Sequence, residues 1–311
     1  LFLIAFYLYT IKHIKNTIWK IPAFLFIGIT AGFLKYIRPA IIILIISFLI
    51  HYLLLEHKFS LLSKDGRKES LTRTGICILL ILSYTVASSL LLSSIDNLTG
   101  IKTARKTSGF YILAGLNSDS EGRWSEKDSA LLESLINEGL TSDQIHEQLT
   151  EIGLKRLKEM NLFSFIKLQV YKNKHMWGND YKSITYIQNS VSPESRVNMS
   201  KHGDWLAFAA DGYYFLFLVL SCAALFFAKS NDTEKIKGGS YILYLYILGT
   251  VAAHMLVEVH SRYHYPVIPL LCLSAGMFFT NLNKTGFLKI SKQKRIVLAS
   301  PEEKQEPPGY L

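Results

Sequence analysis

The chain has little chemistry to spare. It contains 3 cysteines in 311 residues, and Cys77, Cys222 and Cys272 all fall inside strongly apolar runs. Cysteines in such runs are packing residues, which argues against a disulfide framework and against a metal site. No Gly-rich nucleotide-binding loop occurs. No alternating apolar–polar pattern runs along the apolar segments, so a closed β-barrel is excluded. No internal repeat relates one half to the other, which weighs against a transporter built from two matching halves. Charged residues make up only 19% of the chain.

What is present is oil. Hydrophobic residues are 50% of the total and mean hydropathy is +0.23. The apolar residues are gathered into runs: Ile21–Ile37, Ala40–Leu55, Gly75–Ile95, Trp205–Ala228, Tyr241–Val257 and Pro266–Thr280. A helix needs roughly 17–25 apolar residues to cross a bilayer, and these runs reach that length with their flanks. The opening "LFLIAFYLY" reads as the last half of a further span. The expected fold is therefore an all-α polytopic membrane protein with about seven transmembrane helices, the first partial. Because Leu1 is not methionine, we expect the chain to be the C-terminal part of something longer.

The net charge of +10 is distributed as a topology signal. Ile11–Lys20 carries Lys12, Lys15 and Lys20 and no acid, and Glu56–Arg73, Lys229–Lys237 and the tail beyond Lys284 are also basic. Asp96–Asp204, in contrast, balances 14 basic against 14 acidic residues. Alternating sides along the spans places every basic segment on one face, which the positive-inside rule makes cytoplasmic. Nucleic-acid binding would need the basic residues on one folded surface, so no nucleic-acid partner is expected. The organisation that follows is 1–95, transmembrane helices with basic cytoplasmic loops; 96–204, a largely helical extracytoplasmic insert; 205–281, three more transmembrane helices; and 282–311, a disordered cytoplasmic tail.

Within the insert, Ser125 caps a helix with Asp128 three residues on, and Gly139 stops it. Thr141 and Gln144 form a capping box for the next, whose apolar stripe is Ile145, Leu149, Ile152 and Met160. A third amphipathic stretch is "LFSFIKLQVYKNKHMW". These stripes suit helices that pack on each other or lie on a membrane surface. Ahead of them, the loop "YILAGLNSDSEGRWSEKD" offers Asn117, Arg123, Trp124 and Asp128, hydrogen-bonding groups with an aromatic face. That is the equipment of a sugar or acceptor loop, and equally of an ordinary capped turn.

The densest chemistry is "EVHSRYHYPVIPL", Glu258–Leu270, at the mouth of the last helical pair. Together with "FLKYIRPAIIILI", the "GLN…GRWS…D" loop and "KRLKEM…FIKLQVYKNKHMW", it resembles the C-terminal half of polytopic glycosyltransferases of the GT-C superfamily. Among these it is most similar to bacterial proteins related to the dolichyl-phosphate-mannose–protein mannosyltransferases. The resemblance implies a hexosyl- or mannosyltransferase-like enzyme of the cell envelope, in a bacterial plasma membrane. It would transfer sugar from a polyprenyl-phosphate carrier to a glycan, lipid or protein acceptor outside the cytoplasm. The family's catalytic acid sits in an earlier loop, before anything matching Leu1, so no catalytic residue is assigned.

In that chemistry an anionic head group at the bilayer interface calls for arginine, whose rigid fork of donors fits phosphate oxygens. Arg38 and Arg262 are the candidate donor-phosphate ligands. Glu258, one helical turn before Arg262, is placed to pair with it and fix its geometry, and His260, Tyr263 and His264 support them. Arginine and tyrosine also anchor helices at membrane interfaces. The acid just inside a span is harder to explain that way, since it costs about 2.5–3.5 kcal/mol unless paired or functional. Asp211, deep in "AFAADGYYFLF", faces either a polar cavity or a packing partner; His51 and His254 read as satisfied packing residues. No cofactor is assigned and a divalent metal is not indicated. A polymerase or ligase of lipid-linked glycans is the near alternative, and a flippase or transporter the more distant one.

Overall fold

The computed structural model describes residues 1–55, 64–103, 108–226 and 240–284, and among these it is helical with no strand. Within the basic segments, residues 56–63, 229–237 and 285–311 lie outside the described residues.

The apolar runs form α1 (Phe2–His13), α2 (Thr17–Leu34), α3 (Ile41–Ile50, prolonged by a π-helical turn His51–Leu55) and α4 (Lys64–Thr99). After the insert come α11 (Gly203–Phe226), α12 (Ser240–His254) and α13 (Ile268–Lys284). Stretches within three of them, Thr17–Leu34, Arg67–Thr99 and Gly203–Leu225, are long and apolar enough to cross a membrane. The apolar helices Ile41–Leu55, Tyr241–His254 and Ile268–Thr280 are shorter.

These helices turn large apolar side chains outward. Ile78, Leu82, Val86 and Leu90 on α4, and Phe208, Phe215, Leu216 and Val219 on α11, are all exposed. Water would penalise such a surface heavily, whereas hydrocarbon would not. Inside, Tyr7, Phe24, Ile27, Phe48, Leu80, Ile242 and Val267 form a common core. There His51 is fully buried, its Nδ1 2.9 Å from the Tyr7 hydroxyl.

Packing decides which ends meet. Gly28 of α2 lies against Leu80 and Ser83 of α4, and Gly32 against Tyr84 and Ala87. Such a small-xxx-small edge lets two backbones approach closely. One turn further, the Tyr36 hydroxyl donates to the Ser88 carbonyl at 3.0 Å. The contacts advance together along both helices, so α2 and α4 run parallel. The Arg38 turn and the exit of α4 into the insert are therefore at the same end of the bundle.

The insert holds α5 (Gly109–Gly115), α6 (Glu126–Asn137), α7 (Ser142–Glu159), α8 (Leu162–Trp177), α9 (Tyr181–Ser190) and α10 (Pro193–Ser200). Ser125 caps α6 by accepting from the Asp128 N–H, and Thr141 and Gln144 close a capping box on α7. A small core of Leu113, Leu135 and Leu149 joins α5, α6 and α7.

Candidate functional site at one end of the bundle

The segment that follows α12 is not helical. α12 ends at His254, residues 258–260 have no regular structure, with His260 extended at φ −147° and ψ 148°, and a single 3-10 turn, Ser261–His264, precedes α13. This stretch docks onto the insert. The Glu258 N–H donates to the Tyr111 carbonyl at 2.7 Å and the Val259 N–H to the Gly122 carbonyl at 2.9 Å. The polar loop around Trp124 and the segment Glu258–Arg262, far apart in sequence, thus share one site.

Glu258 is buried. Burial raises its carboxyl above the usual carboxylate range, offset in part by the Arg262 cation and by the Trp124 backbone N–H. The expected helical pairing of Glu258 with Arg262 does not form. With the helix ended at His254, the i,i+4 geometry is lost, and no ion pair joins the two among the described residues. Arg262 is exposed, its guanidinium carbon 5.7 Å from the Tyr263 ring centre. His260 caps the 3-10 turn, its Nδ1 accepting the Arg262 N–H at 3.3 Å. Burial and the neighbouring Arg262 and Lys182 cations push its imidazole pKa down. Tyr263 stacks obliquely between His254 and His260, with ring centres 5.4 and 6.0 Å away.

Arg38 is exposed and borders a cavity of about 240 Å³. Leu34, Ile41, Leu44, Tyr246, Pro266 and Leu270 share its lining. Pro266 and Leu270 directly follow the Arg262 turn, so one apolar cavity has Arg38 on one wall and the start of α13 on the other. Arg262 itself does not line it.

His264 points away from this rim. It is fully buried, with Nδ1 2.6 Å from the Met176 carbonyl and Nε2 3.2 Å from Asp180 Oδ1. Both ring nitrogens are occupied, so it serves as a brace between the end of α8 and the turn before α13. Asp180 is also buried; it accepts from the Tyr213 hydroxyl at 2.7 Å. Its backbone N–H donates to Asp211 Oδ1 at 2.6 Å. Asp211 therefore makes a packing hydrogen bond. His254 likewise bonds within its own helix, Nδ1 2.8 Å from the Thr250 carbonyl.

The candidate sugar loop divides in two. Asn117 and Asp128 are buried and bonded to each other at 2.8 Å, and Arg156 closes on Asp128 with contacts of 2.7 and 3.3 Å. Burial opposes the charge on Asp128, but the hydrogen bonds from Arg156, Asn117 and Ser125 outweigh it and hold the carboxyl below its usual range. That pair is an internal clamp of the insert. Arg123 and Trp124 remain exposed; Trp124 donates to Ser129 at 3.1 Å, and Arg123 approaches Glu121 at 3.4 Å.

No family model, curated protein or solved structure matches this chain.

Three groups escaped the sequence reading. Lys172 is 1% exposed, and its Nζ donates to the carbonyls of Gly115 at 2.8 Å and Met255 at 3.1 Å. Desolvation pushes its pKa down to about 7. A neutral amine has two N–H groups, enough for these two carbonyls. A signal existed: Lys172 lies on the α8 face that also carries buried Leu168 and Met176. Glu121, in the left-handed region at φ 57°, pairs with His175. A polar loop alone does not reveal that contact. Nothing local marks Asp180, because its partners come from α11 and the turn before α13.

Proposed function

We propose that the protein is a membrane glycosyltransferase that takes sugar from a polyprenyl-phosphate carrier. The acceptor is a cell-surface polymer, lipid or protein on the extracytoplasmic face of a bacterial plasma membrane. In this reading α1, α2, α3, α4, α11, α12 and α13 all cross the bilayer, and the insert lies outside with the Arg38 and Arg262 turns.

One observation carries the proposal: Arg38 and Pro266 line one apolar cavity, and the segment just before Pro266 is hydrogen-bonded to the insert through Glu258 and Val259. A lipid-linked phosphate needs apolar walls for its chain and a charged fork for its head. Arg38 lines the cavity and supplies such a fork, and Arg262 is exposed on the turn that precedes Pro266. Their charge would stabilise the phosphate as it leaves the sugar carbon. Trp124 offers an exposed ring face for the sugar. Glu258, whose carboxyl is raised by burial, holds a proton at a higher pH than a free carboxylate does.

The test is release of radiolabelled sugar from undecaprenyl phosphate by the full-length protein in detergent. Arg262→Ala and Arg38→Ala should each abolish release. Movement of an intact lipid-linked glycan across liposomes, without cleavage of the sugar–phosphate bond, would make the protein a flippase instead. Labelling by impermeant thiol reagents that put residues 38 and 262 on opposite sides would end the proposal.

A further inference from the structure

The helix α8 has two apolar faces, and only one is used. Leu168 and Met176 point into the protein, beside the buried Lys172. On another face Leu162, Phe163, Ile166 and Val170 are exposed at 74%, 77%, 51% and 61%. Their spacing places all four in a single stripe. A stripe of this size is far more than the scattered exposed leucine of a water-soluble surface.

We propose that this face of α8 lies in the lipid interface, as a monotopic element of the insert that dips among anionic head groups. Continuity supports a bilayer as the occupant. The stripe leads along the helix to Trp177, which packs against the core of the apolar bundle. The Trp177 carbonyl accepts the Tyr214 hydroxyl of α11 at 3.1 Å. Gln169 bonds the Met255 carbonyl at 3.2 Å, and Met255 and Leu256 are themselves exposed. The apolar stripe of α8, interrupted at exposed Asn173, therefore leads to the end of the apolar helices.

Charge supports it as well. The insert is neutral as a whole, yet α8 contains no Asp or Glu. Lys167 and Lys174 are exposed at one edge of the stripe. Lysines flanking an apolar face lie well placed to reach phosphates while their stems stay in the acyl boundary. At 16 residues the helix is about 24 Å long, and a helix of that kind lies in the plane of the interface. This inference stands on the exposed face of α8 and does not depend on the transferase reading.

The experiment uses nitroxide labels on the full-length protein reconstituted in phosphatidylglycerol-containing liposomes. Ile166→Cys, Val170→Cys and a control, Ile136→Cys on α6, are made after replacing Cys77, Cys222 and Cys272. The expected result is that relaxation by oxygen exceeds relaxation by a water-soluble nickel complex at residues 166 and 170. The order should be reversed at residue 136. If the nickel complex dominates at all of these positions, the face is in water and the proposal is overturned. If residues 166 and 170 are shielded from both reagents, protein covers the stripe, a second copy or another chain, and the lipid assignment is equally overturned. Lys167→Glu with Lys174→Glu should make the labels shallower in anionic liposomes but not in phosphatidylcholine. An unchanged depth in both would remove the head-group part of the proposal.

Discussion

The N–H of Val259 donates to the carbonyl of Gly122 at 2.9 Å, and that bond ties one end of the helix bundle to the polar loop of the insert. Next to it the Glu258 N–H reaches the Tyr111 carbonyl at 2.7 Å, and Lys172 reaches the carbonyls of Gly115 and Met255 beneath. The insert is thereby held beside the end of α12 by two main-chain bonds, which depend little on side-chain identity, and by the Lys172 side chain. Each part of this junction makes an expectation that can be measured.

Gly122 has φ +74°, and a Cβ there would lie 2.7 Å from Lys172 Cδ. Gly122→Ala should destabilise the protein by about 1–3 kcal/mol, from left-handed strain plus the collision. Gly139 has φ +76° with nothing near its missing Cβ, so Gly139→Ala carries the backbone strain alone and should cost about 1 kcal/mol. Thermal unfolding in detergent compares the two. Equal shifts would mean that the Lys172 contact is immaterial.

Arg156→Met would leave the Asp128 carboxylate buried with only Asn117 and Ser125, at a cost of about 3–5 kcal/mol. Adding Asp128→Asn to that variant should recover part of the loss, because the uncompensated charge is gone. In the wild type, the lowered pKa of Asp128 means its contribution is complete above the ordinary aspartate range. It is lost as pH falls through the depressed folded value. Hydrogen exchange of α6 and α7 against pH reads this directly.

Lys172 titrates at about 7 in the folded protein against about 10.4 unfolded. Between those values the unfolded chain binds the extra proton, so stability should rise with pH from near neutrality to about 10.4. Below pH 7 both states are protonated and the slope vanishes. Lys172→Met should abolish the rise while lowering stability at high pH, since two buried carbonyls lose their donor. A melting series from pH 6.5 to 10 that is flat in the wild type would refute it.

Burial holds the Glu258 carboxyl above the usual range, so under the proposed transferase function the acid limb of sugar release should sit at a higher pH than an unperturbed glutamate would produce. Glu258→Gln should remove that limb, and reduce release about 10²–10⁴-fold if the group moves a proton during transfer. A pH–rate profile unchanged by the substitution would leave Glu258 with a structural role only.

The helical insert was legible in detail where the physics is local. Ser125, Thr141 and Gln144 cap their helices because a cap needs only residues three positions apart. Asn117 and Asp128 could be named as polar neighbours, but Arg156, which occupies Asp128, comes from the following helix. The pairing of Glu258 with Arg262 was a helical expectation, and it failed because the chain takes its hydrogen bonds from Tyr111 and Gly122 instead of from its own preceding turn. His264 looked like one more rim group until Met176 and Asp180 took both its nitrogens.

The order of residues along the chain by itself determined that this protein is helical and apolar, where several of its helices are capped, and which stretches carry charge, since periodicity, capping and hydropathy act within a few turns. Only the tertiary structure decided which polar groups meet and which are spent on packing. Burial and hydrogen-bond partnership are set by residues tens of positions away, so Lys172, Asp180 and Arg156 acquire their character only once α8, α9 and α7 are in place.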